Sequence, residues 1–307
     1  MNNPLTPVKR ILFIPGKNPK PPVEEHQHQL RRCLLHGVGR ADPAVAAEIG
    51  AQPEVFQLIP WNPVYYRSYK PLDEDLPWID ALLKQAGPTR EDVSEALSWR
   101  RRFAWLLYTA ADLFHFLIPL LPDPVVKNTV QETDRYFSDE GGVGGQVREL
   151  LKAPLRRMLA DGDRILIIAH SMGSVIAYDA LWELTHVENS PGRIDLLLTI
   201  GSPLGMRFTQ KRLRGAREQG ARCYPHNIRR WTNMAAQGDL TALDPTLRDD
   251  YRSMLELGLT ETLTDVNGGV FNYFRNPQGL NVHRSYGYLV NPRLGEVVAR
   301  WWKEGAS

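Results

Sequence analysis

A strand-turn-helix segment in the middle of the chain limits the possible folds more than any other feature of the sequence. Residues 165–169 are a continuous apolar run, Ile-Leu-Ile-Ile-Ala, which is too short for a helix. A helix is predicted directly after it, from about Met172 to His186. Continuous apolar strands that alternate with helices are typical of a parallel sheet covered on both faces. We therefore predict an α/β fold.

Further short apolar runs extend this pattern to both halves of the chain. A helix from about residue 23 to residue 36, stopped by Gly37, and a second helix after Asp42 are predicted to follow the first run. The aromatic residues 61–69, which Pro63 interrupts, are predicted to form a loop. The predicted strands, besides residues 164–169, are residues 11–14, 55–59, 195–200 and 228–234.

Length, charge and cysteine content exclude several classes of protein. The 307 residues fit one α/β domain, and a formal net charge of +2 argues against a dedicated nucleic-acid binder. Cys33 and Cys223 form neither a disulfide framework nor a metal motif, and no other residues have metal-ligand spacing. We therefore expect no metal and no other cofactor. The chain begins without a basic-then-apolar signal segment, so the predicted compartment is the cytoplasm.

Strand patterns stop between about residues 70 and 145, where helical stretches separated by Pro and Gly take over. We interpret residues 70–145 as a helical cap or lid insert within a single domain of residues 1–307. Its apolar middle, residues 103–121, contains Asp112 and His115, which disfavours a membrane-spanning helix. This segment either covers a hydrophobic site or is an ordinary buried helix. Its apolar residues are Trp99, Phe103, Trp105, Leu106, Tyr108, Phe114, Phe116 and Leu117.

The turn between residues 164–169 and the following helix has the composition of a nucleophile elbow. Ser171 stands at the apex, and the small residues Ala169 and Gly173 stand two positions before and after it. Small residues there let the strand and helix backbones approach, and the helix N-terminus favours developing negative charge. Ser171 is therefore the candidate nucleophile. The alternative is a serine in an ordinary strand-helix turn.

At these residues the chain resembles the α/β-hydrolase superfamily, in the lipase/esterase-like subgroup whose elbow reads Gly/Ala-His-Ser-Met/Leu-Gly. Residues 199–204, Thr-Ile-Gly-Ser-Pro-Leu, are similar to the family's segment after the strand that follows the elbow helix. The resemblance covers most of residues 11–20 and 147–300. It implies an α/β-hydrolase fold, with a mostly parallel central sheet, helices on both faces and a helical cap insert. Ala169 replaces the commoner glycine.

The resemblance also implies a catalytic triad in the chain order serine, acid, histidine. Asp239 follows the strand at residues 228–234 and is the predicted acid, with Asp244 and Asp265 as alternatives. His283 is the one histidine after Asp239 and precedes the predicted last helix, so it is the predicted base. His170 is predicted to pack beside the elbow.

The oxyanion hole is predicted from the same resemblance. Its backbone donors are the N–H of Met172 and the N–H of Lys17, with Gly16 as the second choice for the latter. Lys17 and Gly16 both follow the first strand, where glycine permits close backbone approach. Residues 36–39, His-Gly-Val-Gly, spell a similar motif but follow a helix, and we interpret them as the helix stop.

These residues predict a serine hydrolase that cleaves a carboxylic ester through an acyl-enzyme intermediate. An acyltransferase or a thioesterase would use the same triad, and a non-catalytic interaction scaffold is the third alternative. The expected partner is a small-molecule ester with an apolar acyl or alcohol part. Residues 207–230 hold eight Lys or Arg and one acid, Glu218. They predict peripheral contact with an anionic membrane, contact with an acidic substrate, or simply a solvated basic face.

Overall fold

The central sheet of the computed structural model, which describes residues 7–113 and 133–305, has six strands that are all parallel. In chain order they are β1 (Lys9–Ile14), β2 (Phe56–Leu58), β3 (Arg164–His170), β4 (Ile194–Ile200), β5 (Ile228–Met234) and β6 (Thr262–Val266). Their order across the sheet is β2-β1-β3-β4-β5-β6. The prediction of an α/β fold with a parallel sheet is confirmed.

Helices cover both faces of this sheet. Short 3-10 turns occur at Pro53–Val55, Leu72–Glu74, Glu140–Gly142, Pro203–Gly205 and Gly220–Cys223, and residues 133–137 are helical. A small antiparallel ladder pairs Arg275–Asn276 with Gly279–Leu280. The helices are α1 (Val23–Ala41), α2 (Pro43–Gly50), α3 (Trp61–Tyr66), α4 (Leu76–Lys84), α5 (Arg90–Ala96), α6 (Trp99–Leu113), α7 (Val143–Ala160), α8 (Met172–His186), α9 (Arg207–Gln210), α10 (Leu247–Asp250), α11 (Arg252–Glu256), α12 (Ser285–Leu289) and α13 (Pro292–Lys303).

Two apolar clusters, one on each face of the sheet, form the core. Side chains of successive strand residues point to opposite faces, so Ile11 and Phe13 join one cluster while Leu12 and Ile14 join the other. The first cluster includes residues of α1, α2 and α13, and the second includes residues of α7 and α8. Every residue of β3 is buried. Because β3 lies between β1 and β4, the chain that leaves its carboxyl end emerges at the middle of the sheet, beside the ends of those two strands.

Helix α1 is longer than the sequence pattern predicts. It runs through Gly37 and ends at Ala41, so the predicted stop at Gly37 is wrong. A Cβ atom at Gly37 would lie 2.1 Å from the carbonyl oxygen of Leu289, and one at Gly295 would lie 2.2 Å from the carbonyl oxygen of Gly37. These glycines therefore allow close packing of α1 on α12 and α13, rather than a change of backbone direction.

Two other elements differ from the sequence-based expectations. Most of the aromatic segment predicted as a loop forms α3, because Pro63 stands in the first turn, where its missing N–H removes no helical hydrogen bond. The edge strand β6 was not predicted. Its side chains alternate between buried and exposed only weakly, and Thr262, Thr264 and Asp265 make its sequence polar.

Within the described residues, the insert at residues 70–145 contains helices and no strand. Helix α6 covers the first part of the predicted apolar segment, and it exposes Trp99 by 73%, Phe103 by 56% and Leu106 by 58%. Phe114, Phe116 and Leu117, as well as the side chain of Tyr108, lie outside the described part of the chain. Across residues 7–113 and 133–305, no helix combines the length and the apolar character that crossing a membrane requires.

Candidate active site

Ser171 occupies a strained turn between β3 and α8. Its φ of 54° and ψ of −126° lie in a region that non-glycine residues rarely adopt, and such strain costs about 1–3 kcal/mol. The turn is tight because a Cβ atom at Gly173 would lie only 2.4 Å from the carbonyl oxygen of Ile14. Ser171 is 2% exposed. The geometry is the one that the small residues around Ser171 predict.

A chain of hydrogen bonds joins Ser171, His283 and Asp239. The Oγ atom of Ser171 lies 2.9 Å from Nε2 of His283, and Nδ1 of His283 lies 2.9 Å from Oδ2 of Asp239. The first pair is separated by 112 residues in sequence and the second by 44. The fold thus brings together the three residues predicted as nucleophile, base and acid.

The buried carboxylate of Asp239 accepts hydrogen bonds on both of its oxygens. Its Oδ1 accepts from the N–H of Thr241 at 2.9 Å, and its Oδ2 accepts from the hydroxyl of Tyr288 at 2.6 Å. The Tyr288 hydroxyl accepts in turn from the N–H of Ala236 at 2.9 Å. Burial raises the pKa of the Asp239 carboxyl, but the charge of His283 and hydrogen bonds from His283, Tyr288 and Thr241 outweigh it. The net pKa lies below its ordinary value, so the carboxylate is ionised.

Tyr288 is a site residue that the sequence analysis missed. It lies in α12 within a run of buried residues, and its exposed fraction is 0%. Nothing in the sequence distinguishes it from a tyrosine that merely packs in the core, because the acid it contacts lies 49 residues away.

The two alternative acids stabilise local structure, and neither forms a hydrogen bond with His283 within the described part of the chain. Asp244 Oδ1 accepts from both the N–H and the hydroxyl of Thr246. Asp265 accepts from the N–H groups of Leu247 and Arg248 at the start of α10. Of the three candidate acids, Asp239 is the one that contacts the histidine.

His170 packs beside the elbow, as the sequence predicts, and also contacts His283. Its ring centroid lies 4.7 Å from that of His283, and its Nε2 lies 2.7 Å from the backbone carbonyl oxygen of His283. A carbonyl oxygen only accepts, so Nε2 of His170 carries the proton. Burial, followed by the charge of His283, holds the pKa of His170 well below its ordinary value. His170 is therefore a neutral donor that restrains the backbone of His283.

The loop after β1 lies directly against the nucleophile. A Cβ atom at Gly16 would lie 2.9 Å from Cβ of Ser171 and 2.8 Å from Nδ1 of His170, which leaves room for no other residue. Met172 and Lys17 line one narrow cavity together. The aromatic residues of that cavity are Trp61, Tyr65, Tyr66 and Tyr136. The residues predicted for the oxyanion hole thus lie close together, with Gly16 against Ser171 and with Lys17 and Met172 on one cavity.

Helix α3 holds the carbonyl groups of this loop. The indole N–H of Trp61 donates to the carbonyl oxygen of Pro15 at 2.7 Å. The side-chain amide of Asn62 donates to the carbonyl oxygens of Gly16 at 2.8 Å and Asn18 at 2.9 Å. Asn62 is 1% exposed. The sequence analysis missed both residues because it interpreted their segment as a loop.

Gly201, at the carboxyl end of β4, packs against Asp239 and His283. Its φ is +54°, and a Cβ atom there would lie 2.9 Å from Oδ2 of Asp239 and 3.1 Å from Nδ1 of His283. The sequence signal for this residue was its place in the segment at residues 199–204 that resembles the α/β-hydrolase family.

Local acids neutralise most of the basic stretch at residues 207–230. Within the described part of the chain, at least five of its eight Lys or Arg side chains form ion pairs with Asp or Glu within 4.0 Å. Part of the stretch borders a surface cleft of about 640 Å³, whose floor includes the buried Asp179. Much of the charge of this stretch is therefore balanced locally, and the three interpretations of the sequence remain predictions. The pairs are Arg212–Asp134, Arg214–Glu183, Arg222–Glu218, Arg229–Glu261 and Arg230–Glu304.

The fold and the site together define an α/β protein with a Ser-His-Asp hydrogen-bond chain at the carboxyl end of a parallel sheet. Comparisons of the sequence with models of protein families and with curated proteins found no match, and neither did a comparison with solved structures. Among the described residues, no group of three or more His, Cys, Asp or Glu side chains is placed to hold a metal ion.

Proposed function

We propose that the chain is a serine hydrolase of the α/β-hydrolase superfamily, lipase/esterase-like, that cleaves carboxylic esters. The observation that carries the proposal is the hydrogen-bond chain from Ser171 through His283 to Asp239, with Ser171 in a strained strand-helix turn. A serine is a poor nucleophile near neutral pH unless a base accepts its proton, and this base is itself oriented by an ionised acid.

The position of each residue along the fold supports the same class. Ser171 follows the central strand β3, Asp239 follows β5, and His283 precedes the last two helices. This is the chain order of nucleophile, acid and base in α/β-hydrolases. The fold alone would be weak support, because one fold serves many functions. The three side chains in hydrogen-bond contact are the stronger argument.

In the proposed mechanism, Oγ of Ser171 attacks the carbonyl carbon of the ester while Nε2 of His283 takes the hydroxyl proton. Asp239 stabilises the imidazolium that forms, and the tetrahedral oxyanion accepts from the N–H groups of Met172 and Lys17, or of Gly16 in place of Lys17. Each such donor is worth about 3–4 kcal/mol in the transition state. His283 then passes its proton to the leaving alcohol, and the acyl-enzyme forms.

A water molecule then occupies the place of the departed alcohol. His283 takes a proton from this water as it attacks the acyl carbon, and returns the proton to Oγ of Ser171 when the carboxylic acid leaves. The cavity beside Met172 and Lys17 has a volume of about 10 Å³, so the proposal of an apolar acyl or alcohol part rests on the aromatic character of its lining and not on its size. Hydrolysis, acyl transfer and thioester cleavage share the first half of this cycle and differ in the group that accepts or donates the acyl unit.

The deciding experiment is labelling of the native protein with a fluorophosphonate, followed by peptide mapping. The proposal predicts modification of Ser171 that is abolished by Ser171→Ala and slowed by at least about 10³-fold in His283→Ala. Ser138→Ala changes an exposed serine whose hydroxyl donates to the carbonyl oxygen of Arg135, and serves as the matched control. A native protein that remains unlabelled at Ser171 would overturn the proposed class.

A p-nitrophenyl ester series of varied acyl length tests the substrate. Activity that rises with acyl length supports the apolar partner, and a flat profile contradicts it. Product analysis with added alcohol or with a thioester separates hydrolysis from acyl transfer and thioester cleavage.

A further inference from the structure

One arginine of the cap connects the segments that carry the acid and the base. We call residues 235–243 the acid loop and residues 275–284 the base loop. Arg101 of α6 donates from Nη2 to the carbonyl oxygen of Leu280 in the base loop at 2.8 Å. Its Nη1 lies 3.5 Å from the carbonyl oxygen of Gly238 in the acid loop. A single guanidinium therefore lies between the backbones of both loops.

The acid loop packs on the cap at the residue that precedes Asp239. Gly238 has a φ of +78°, and a Cβ atom there would lie 2.4 Å from the carbonyl oxygen of Ala96 and 3.2 Å from Cδ of Arg101. Farther along this loop, the carbonyl oxygen of Leu243 accepts from the indole N–H of Trp105 at 3.0 Å. The acid loop thus contacts the cap at two places.

The base loop is held by the neighbouring helix α5. Arg275 forms ion pairs with Asp92 at 2.7 Å and with Glu95 at 2.9 Å. Glu95 also accepts from the N–H of Leu280 at 3.3 Å. Leu280 belongs, with Ala96 and Val282, to a small buried apolar cluster. The cap therefore contacts the base loop through charge, hydrogen bonds and apolar packing.

We propose that Arg101 is a positioning residue of the proposed hydrolase. Its guanidinium fixes the separation of the acid loop and the base loop, and thereby keeps Asp239 within hydrogen-bond distance of His283. The planar guanidinium presents its donors in a rigid fork, which suits two carbonyl groups on separate segments. The inference rests on the proposed function. Among the cap contacts to these loops, Arg101 is the one whose single side chain reaches both of them.

The test compares Arg101→Ala and Arg101→Lys with Arg102→Ala. Arg102 is the exposed neighbour of Arg101, and its side chain forms no hydrogen bond or ion pair with the described residues. A misplacement of about 1 Å costs on the order of 10²-fold in rate. We expect kcat on a p-nitrophenyl ester to fall by about that factor in Arg101→Ala, with KM changed less than about threefold. Arg101→Lys should lie between, since an ammonium reaches one carbonyl.

A pH profile separates positioning from a general loss of folded protein. The Asp239 carboxylate stabilises protonated His283, so a longer contact between the two side chains weakens that stabilisation. The acid limb of kcat/KM therefore shifts to lower pH in Arg101→Ala. A variant that merely unfolds part of the sample loses activity equally across the profile. An acid limb that coincides with that of Arg102→Ala, or a kcat within about threefold of it, would overturn the proposal.

Backbone amide hydrogen exchange tests the same coupling without reference to activity. Faster exchange in both loops of Arg101→Ala than in Arg102→Ala supports the role of Arg101. Unchanged exchange in either loop contradicts it. A wild-type protein that the fluorophosphonate leaves unlabelled would defeat the proposed function, whereas the exchange result would still decide whether Arg101 holds the two loops together.

Discussion

Tyr288 donates a 2.6 Å hydrogen bond to Oδ2 of Asp239, the same oxygen atom that accepts from Nδ1 of His283. One oxygen of the carboxylate therefore accepts hydrogen bonds from both a phenol and an imidazole. A hydrogen bond to the charged form of an acid lowers its pKa and weakens its attraction for a second donor. Tyr288 thus limits how strongly Asp239 stabilises the protonated form of His283, while holding the carboxylate in place.

The Tyr288→Phe variant tests this relationship. Loss of the phenol hydroxyl leaves Oδ2 of Asp239 with one donor fewer, so the carboxylate stabilises protonated His283 more strongly. We expect the acid limb of the kcat/KM profile to shift to higher pH, opposite to the shift expected for Arg101→Ala. The measurement is kcat/KM for a p-nitrophenyl ester as a function of pH.

Tyr286→Phe is the matched control for this experiment. Tyr286 lies in the same helix and is 1% exposed, but its hydroxyl has no hydrogen-bond partner in the described structure. Removing an unsatisfied buried hydroxyl is neutral or stabilising. A profile of Tyr288→Phe that matches that of Tyr286→Phe would show that the Tyr288 hydroxyl has no influence on the base.

Gly201→Ala is expected to disable the site. The added methyl would lie 2.9 Å from Asp239 Oδ2 and 3.1 Å from His283 Nδ1, and the positive φ adds a backbone cost of about 1–2 kcal/mol. We expect kcat to fall by about 10²-fold, because the acid and base must shift. Gly268→Ala is the control, since a methyl there meets nothing within 4 Å. Equal kcat values for the two variants would contradict this account.

Asn62→Leu is expected to lower kcat through the loop after β1. The substitution keeps the approximate size of the side chain but removes the amide that holds the carbonyl oxygens of Gly16 and Asn18. The donor predicted at Lys17 then loses its fixed position. We expect kcat to fall by about 10²-fold with a smaller change in KM, in steady-state kinetics on a p-nitrophenyl ester. An unchanged kcat, with only the melting temperature lowered, would assign Asn62 a structural role alone.

Asp179 should make stability depend on pH. Burial raises the pKa of this carboxyl to about 6, although the Arg214 N–H and the Tyr136 hydroxyl donate to it. The folded state therefore binds more protons than the unfolded state between its ordinary pKa of 3.8 and about 6. The free energy of unfolding decreases as pH rises through that window, by roughly 3 kcal/mol in total.

Urea unfolding across this pH window measures the effect. Asp179→Asn, which cannot ionise, should lack this part of the pH dependence, so the difference in stability between it and the wild type changes with pH. The exposed Asp73→Asn is the control. Parallel stability curves for the wild type and Asp179→Asn would contradict the raised pKa.

Local sequence signals predicted the elements that meet at the site. The apolar run before Ser171 and the helix after it recur in the structure as β3 and α8, and α8 has the predicted bounds. Signals close together in sequence specify these elements: an apolar run, two small residues around the turn and a helical pattern. By contrast, Gly37 looks like a helix stop locally, and only the packing of α12 and α13 against α1 explains why a glycine is needed within the helix.

The sequence by itself determined the parallel α/β architecture and, through chain order and family resemblance, named Ser171, Asp239 and His283 as residues that belong together. Only the tertiary structure decided the distances between them and the neighbours that surround the site: Tyr288 on the acid, Asn62 behind the loop after β1 and, in our proposal, Arg101 between the two loops. Periodicity and turn composition reflect interactions between near neighbours. The groups that hold a site in place are contributed by distant segments, so their hydrogen bonds exist only once the sheet has brought those segments together.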